Sequence, residues 1–425
     1  MRHMIWMDYM YCNEIIYRRR HDSTLSCSDA LSKLSTVEAP DWSRIPYSAF
    51  HPRTVSMDGP LESYLNSLRQ QQIIIKFSYN FIFFIGAFHT MLRHSAQTLV
   101  RNCTPSSRRL ITTGLTHQTH TLSDGRQLGF ADYGKPNGHP IFYFHGFPSS
   151  CLEAQPVDEI AQRVGVRLIA LDRPGFGLST PNPDYRIVDW PCDVIKLAEA
   201  KSLDRFSVCG LSGGGPFALA CAYALPKTKL ASVGLFASAP HWEAGIQHVD
   251  VSRRLLRLFA VNYPNLLGGV LNAAYRSIRW LILTRPAIKR IGKWLDIEDA
   301  KHPPTQDSKN PHAERIQDLV NIFLDEPFRQ GAGGTVHEAR LLSSLDWGFK
   351  LEDVTFKKVL MWHGVKDTNA PIEMIRYMAE KVPGSELMEF EGETHYTMWK
   401  QVEAAFKRLV DEGNLKKGDY KDWVF

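Results

Sequence analysis

The stretch Phe206 to Leu219, FSVCGLSGGGPFAL, constrains the fold of this chain more than any other. Phe206 to Cys209 is a short apolar run of the kind that makes a buried strand. Gly210-Leu211-Ser212-Gly213-Gly214 breaks it, and Pro216 opens an apolar segment with helical spacing. Strand, tight turn and helix in that order put Ser212 at a sharp bend with its hydroxyl clear of a sheet. The bend leaves no room for side chains two residues to either side, which explains Gly210 and Gly214. The N–H groups that open the helix point at the same spot, where they would meet a developing oxyanion. A G-x-S-x-G turn is not chemistry by itself. It needs a base and an acid, each past the end of a later strand.

The sequence supplies both. A serine hydroxyl needs a base within hydrogen-bond reach, and the base needs an acid to hold its tautomer. In an open α/β sheet such groups sit just beyond the C-terminal ends of strands. The apolar strand Val359 to His363 runs into Gly364-Val365-Lys366-Asp367, and the strand Glu386 to Phe390 runs into Glu391-Gly392-Glu393-Thr394-His395. Ser212, Asp367 and His395 therefore form a candidate triad. The oxyanion donors are expected from the N–H of Gly213 and from that of Phe147, in the loop His145-Gly146-Phe147-Pro148 directly after the strand Ile141 to Phe144. His145 is read as a support for this loop rather than as a base.

Around these motifs strands and helices alternate. Thr116 to Leu122, the turn at Asp124-Gly125 and Leu128 to Tyr133 read as a hairpin. Ile141 to Phe144, Val166 to Leu171 and Leu230 to Ala237 read as buried strands, with helices near Val157 to Val164 and Val188 to Ala200 between them. The rhythm stops from 241 to 349, where only helical patterns occur: Val251 to Val261, Leu266 to Trp294 and Ala313 to Leu324. It resumes with a helix at Ile372 to Val382 and another at Met398 to Val410. The expected architecture is a mostly parallel central sheet flanked by helices, built from residues 115–240 and 350–425, with an inserted helical cap at 241–349.

The excess of positive charge lies elsewhere. Residues 1–114 hold thirteen Lys/Arg against eight Asp/Glu, and the rest of the 425-residue chain is balanced at 37 of each, so the expected catalytic region lacks the basic face that nucleic acid requires. Residues 1–60 lack periodicity and read as a disordered extension, with no secretory signal in Met1 to Met10. Residues 61–114 read as a helical segment that contains the one membrane candidate, Ile73 to Leu92, interrupted by Lys76, Asn80 and His89. Three readings of it stay open: an interfacial or weakly spanning anchor, an amphipathic helix packed on the body, and a buried strand pair. If it spans, the arginines at 93, 101, 108 and 109 place the catalytic region on the cytoplasmic side. Seven cysteines with no C-x-x-C and no histidine at metal-ligand spacing argue against zinc and for a reducing compartment. The expected location is intracellular, in the cytoplasm or on the cytoplasmic face of a membrane.

HGFP at 145–148, DRPGFGLS at 172–179, GLSGGG at 210–215, HGVKD at 363–367 and ETH at 393–395 together resemble the α/β-hydrolase superfamily over Thr116 to Leu409. The resemblance implies the α/β-hydrolase fold, Ser212 as nucleophile, Asp367 as acid, His395 as base, and a structural role for Asp172 and Arg173. It implies no metal and no organic cofactor. Serine at the elbow disfavours epoxide hydrolase and haloalkane dehalogenase chemistry, and HGFP is poorer in glycine than the loop of proline iminopeptidases. The expected activity is that of a serine hydrolase of the esterase or lipase kind, acting on an ester, thioester or related acyl bond of a small apolar molecule. Hydrolysis of a carbon–carbon bond and ligand binding without turnover are the alternatives. Phe259, Tyr263, Tyr275, Trp280 and Trp294 are expected either to line the pocket or to form the core of the cap. The oligomeric state is not legible.

Overall fold

The computed structural model describes residues 117–299 and 310–414. The expected N-terminal extension and the stretch 73–92 lie outside the described residues. Eight strands form one sheet: β1 Gln118–Thr121, β2 Gln127–Gly134, β3 His139–Phe144, β4 Val166–Leu171, β5 Phe206–Leu211, β6 Leu230–Phe236, β7 Val359–Gly364 and β8 Ser385–Phe390. Their order is β1-β2-β4-β3-β5-β6-β7-β8. The β1–β2 and β2–β4 pairs are antiparallel and every later pair is parallel. The chain runs from β3 outward to β4 and then back across to β5 on the other side of β3. Such a reversal opens a crevice at the carboxyl ends of β3 and β5.

Helices α1 Asp158–Arg163, α2 Trp190–Ala200, α3 Gly215–Ala224, α9 Ile372–Lys381 and α10 Val402–Asn414 cover the sheet. Alternation along β3 divides its side chains between two cores. Phe142 and Phe144 join Trp190, Phe217 and Val208 on one face, while Ile141 and Tyr143 join Cys209, Phe236 and Phe406 on the other. Helix α3 is apolar all round, and eight of its ten residues are buried, with only Tyr223 and Ala224 at its end meeting solvent. Full burial of a side chain such as Phe217 contributes about 1.5–3 kcal/mol, and this anchors the element that carries the serine turn.

Among the described residues of 241–349 there is no strand. The segment holds α4 Val251–Asn262, α5 Pro264–Ile282, α6 Arg285–Asp299, α7 His312–Val320 and α8 Gly333–Leu342. The single pattern expected over Leu266 to Trp294 is two helices. Pro286 cannot donate a hydrogen bond back to Ile282, so the chain ends α5 and restarts at Arg285. Helix α8 had no strong periodicity and was not expected. Its start lies against the turn after β4, where Gly334 and Gly175 meet so closely that a methyl group on Gly334 would strike the Gly175 carbonyl at 2.5 Å. Among the described residues no helix is long and apolar enough to cross a membrane.

Candidate active site

Ser212 is the first residue after β5, and its backbone has φ +48°. That left-handed conformation costs a non-glycine residue on the order of 1–2 kcal/mol, and packing around it has to hold it there. Close approach explains the glycines: a Cβ on Gly210 would run into the Gly214 carbonyl, and one on Gly214 into the carbonyl of Phe144 at the end of β3. The turn is thus wedged between its own helix and the neighbouring strand. Three of the cysteines, Cys151, Cys209 and Cys221, are buried, and burial pushes the Cys209 thiol in β5 up to about 12.

The structure brings the three expected residues together. His395 Nδ1 lies 2.6 Å from Asp367 Oδ2, and His395 Nε2 lies 3.0 Å from Ser212 Oγ. A carboxylate only accepts, so Nδ1 carries the hydrogen and Nε2 is left to accept from the serine hydroxyl. Asp367 follows β7 and His395 follows β8, one strand further from the serine. The Asp367 carboxylate is fully enclosed. Its Oδ1 accepts the N–H groups of Asn369 at 2.7 Å and Ala370 at 2.8 Å. Burial works to raise its pKa, but the charge and hydrogen bond of His395, with His363 and the Ala370 N–H, outweigh burial and hold it below the ordinary value.

His363, at the end of β7, was quoted in the sequence only as part of a motif. Its Nε2 lies 2.7 Å from the Ala370 carbonyl and 3.3 Å from Asp367 Oδ2, so the ring braces the loop that presents the acid. Burial holds this imidazole below its ordinary value, and hence neutral.

The second half of the site is the loop after β3. A methyl group placed on Gly213 would meet the Phe147 side chain at 2.6 Å and its backbone nitrogen at 3.2 Å, which puts the two expected donors side by side. The Phe147 N–H has no acceptor among the described residues. Gly213 is the second residue of a helical turn, where N–H groups lack intrahelical partners. His145 is fully buried. Its Nδ1–H donates to the Gly146 carbonyl at 2.8 Å and its Nε2 accepts the Arg173 N–H at 3.3 Å, so the ring holds the loop as expected of a support.

Two acids that the sequence did not single out complete the arrangement. Arg173, fully buried, donates to the carbonyls of His145 at 2.5 Å and Gly146 at 2.9 Å, and pairs at 2.6 Å through two nitrogens with Glu338 of α8. Asp172 beside it accepts the N–H groups of Cys151 and Leu178, and burial pushes it up to about 6. Glu153 accepts the Gly146 N–H at 2.6 Å. A methyl group on Gly146 would lie 3.1 Å from the Glu153 carboxylate and 3.6 Å from Ser212 Cβ, so the acid stands beside the serine. Burial pushes Glu153 up to about 7, against the opposing pull of the Gly146 N–H and Arg173. Neither acid has a sequence signal: Glu153 lies in the short 3-10 helix Cys151–Val157 and Glu338 is 165 residues from its partner.

Helices α4, α5 and α8 pack beside this loop. Ala260, Leu267, Val336 and Ala339 form a small core against which Phe147, Leu256, Phe259 and Leu271 pack. Of the five expected aromatics, Phe259 packs on the same small core as Phe147, Trp294 packs on the larger core that includes Leu295 and Ile316, and Tyr275 stacks on Phe328 at 5.3 Å. Tyr263 and Trp280 do neither. They are 56% and 70% exposed, because Tyr263 sits at the corner between α4 and α5 and Trp280 on the outward face of α5. Arg253 is placed one turn before Leu256 on α4, and burial lowers its pKa, with the charges of Asp367, Tyr396 and Asp250 opposing. Among the described residues no three metal-ligating side chains cluster.

Comparison with known proteins finds partial sequence relatives. A non-heme chloroperoxidase from Streptomyces lividans is 34% identical over 98 residues, which are 23% of this chain and 36% of the relative. A proline iminopeptidase from Xylella fastidiosa is 30% identical over 125 residues, 28% of this chain and 40% of that protein. The chain thus spans well under half the length of either. An esterase from Exiguobacterium antarcticum superposes with a TM-score of 0.47 and 19% identity, over 71% of this chain and the whole of the esterase. The sequence pattern of the alpha/beta hydrolase family matches residues 141–412, which take in the serine turn, both partner residues and the loop after β3. On that match, and on the sheet that carries it, the chain belongs to the alpha/beta hydrolase family.

Proposed function

We propose that this protein is a serine hydrolase that cleaves an ester, thioester or related acyl bond of a small apolar substrate through an acyl-enzyme. The observation that carries the reading is the continuous relay from Ser212 Oγ through His395 to Asp367, at 3.0 Å and 2.6 Å, with the Phe147 backbone nitrogen close to Gly213. As Ser212 Oγ attacks the carbonyl carbon, His395 Nε2 takes its proton, and the Asp367 carboxylate stabilises the imidazolium. The N–H groups of Phe147 and Gly213 donate to the oxygen that becomes negative. His395 then protonates the leaving alcohol or thiol. Water enters, gives its proton to His395 and attacks the acyl carbon, and collapse of the second tetrahedral species frees the acid and restores Ser212. The apolar wall of Phe147, Phe259 and Leu256 supports a substrate with an apolar acyl part.

The test is labelling of the wild type and of Ser212→Ala by a fluorophosphonate probe, with turnover of short-chain nitrophenyl esters measured on the same samples. The wild type is expected to label and turn over, and the variant to do neither, with kcat lower by at least about a thousand-fold. A folded wild type that neither labels nor turns over would refute the reading and leave a ligand-binding protein.

A further inference from the structure

The outward side of the cap carries a feature the proposed chemistry does not use. Trp280 is 70% exposed, more than any other large apolar side chain among the described residues, and Leu281 beside it is 59% exposed. Both stand at the C-terminal end of α5. Between Arg276 and Lys293 the chain has six Lys/Arg and no Asp/Glu. Four of these, Arg285, Lys289, Arg290 and Lys293, are exposed on α6, and spacings of four residues put Arg285, Lys289 and Lys293 on one stripe of that helix. A cavity of about 800 Å³ opens beside Trp280, lined by Arg276, Arg279 and Arg329 against the single carboxylate of Asp325. Asp325 is taken by Arg279 at 2.8 Å and by the Tyr275 hydroxyl at 3.1 Å. Arg329 reaches Glu326 at 3.2 Å, and Arg276 is exposed with no ion pair among the described residues.

An exposed Trp-Leu pair costs solubility, and its placement among basic side chains calls for a partner that is both apolar and negative. We infer that the corner between α5 and α6, Arg276 to Lys293, docks on an anionic phospholipid surface, with Trp280 and Leu281 entering the headgroup region and a lipid phosphate received by Arg276 and Arg329. Charge decides between the candidates for this face. A second copy of the chain meeting it about a two-fold axis would set the same basic stripe against itself, whereas an anionic leaflet neutralises it. Tryptophan suits the membrane boundary because its ring is apolar and its N–H stays hydrated. Each Lys or Arg near such a surface adds attraction that falls away within a Debye length, so the contact is sensitive to salt.

Sedimentation of the full-length protein with phosphatidylcholine vesicles, with and without phosphatidylserine, tests this. The wild type is expected to partition onto the anionic vesicles at low salt, to leave them at high salt and to ignore the neutral ones. Replacing Lys289, Arg290 and Lys293 by Gln is expected to weaken partition about a hundred-fold, and Trp280→Ala with Leu281→Ser about ten-fold. Fluorophosphonate labelling at the wild-type rate would show that these surface variants are folded; should the wild type not label, their thermal melts serve instead. Equal binding to neutral vesicles, no binding to either, or undiminished binding by both variants would overturn the proposal, the last placing any membrane contact elsewhere in the chain. So would a wild-type dimer that the variants dissociate and that ignores vesicles.

Discussion

The Arg173–Glu338 pair joins α8 to the loop after β3, and its removal separates stability from function. Both side chains are almost fully buried, with the guanidinium held at 2.6 Å by two carboxylate contacts and at 2.5 and 2.9 Å by two loop carbonyls. Glu338→Leu leaves a buried positive charge without its counterion, which costs about 3–5 kcal/mol. For a body of this size that is a fall in melting temperature of about 5–8 °C. Arg173→Met alone leaves a buried acid and takes a donor from each of two loop carbonyls, with a loss of similar size. The double variant Arg173→Met, Glu338→Leu removes both charges, so the two losses are expected not to add; a coupling of about 3 kcal/mol should appear in urea denaturation. Activity should not return with stability. The His145 carbonyl has lost its donor and the Gly146 carbonyl keeps only His145 Nδ1–H, so the loop that carries Phe147 N–H is less firmly held, which costs about a hundred-fold where an oxyanion donor is displaced. The rate of fluorophosphonate labelling measures this directly. Costs that add to within about 0.5 kcal/mol, or a double variant labelled at the wild-type rate, would refute the argument.

Other consequences are more local. Asp367→Asn keeps an acceptor for the N–H groups of Asn369 and Ala370 but no longer holds the His395 tautomer, so kcat should fall about ten-thousand-fold with little change in melting; a loss under about ten-fold would refute the role given to it. Gly214→Ala drives a methyl group into the Phe144 carbonyl, and thermal melts should show a loss of about 1–3 kcal/mol or more, with slower labelling. Glu153, pushed up from its ordinary 4.5 to about 7, is neutral below that pH and negative above it, beside the place where the oxyanion forms. Turnover should therefore decline as pH rises through about 7, and Glu153→Gln should lift that decline to higher pH; identical alkaline limbs would refute it. The same shift means that the folded form holds this proton more tightly than the unfolded chain. Its contribution to stability therefore decreases as pH climbs from about 4.5 to 7, and Glu153→Gln should flatten that part of the urea-denaturation profile.

The strands that carry the site were legible because each is a short apolar run with a turn signal at its end. β4 spans Val166–Leu171 as read, and β5 and β7 run one or two residues past the apolar cores recognised in the sequence. The residues at their ends were legible for the same reason: Ser212, Asp367 and His395 take their places from the strand just before them, and strand ends in a parallel sheet share one edge. Helical periodicity served less well in the cap. It ran α5 and α6 together across Leu283-Thr284, and it left Tyr263 and Trp280 as candidates for an interior that neither enters. A cap helix has an inward and an outward face only once it is laid on the body, and its sequence carries apolar residues on both.

The amino-acid sequence by itself determined the alternation of elements, the serine turn and the order of its partners, since these depend on neighbours within about a dozen residues. Only the tertiary structure decided what surrounds them. Glu153 becomes an acid with a pKa near neutrality because folding removes its water and sets it against Gly146; nothing in CLEA announces it. Arg173 finds Glu338 across 165 residues, and His363 finds Asp367 through the curl of one loop. Burial and charge act through space and are set by which surfaces meet, so they exist only in the folded chain.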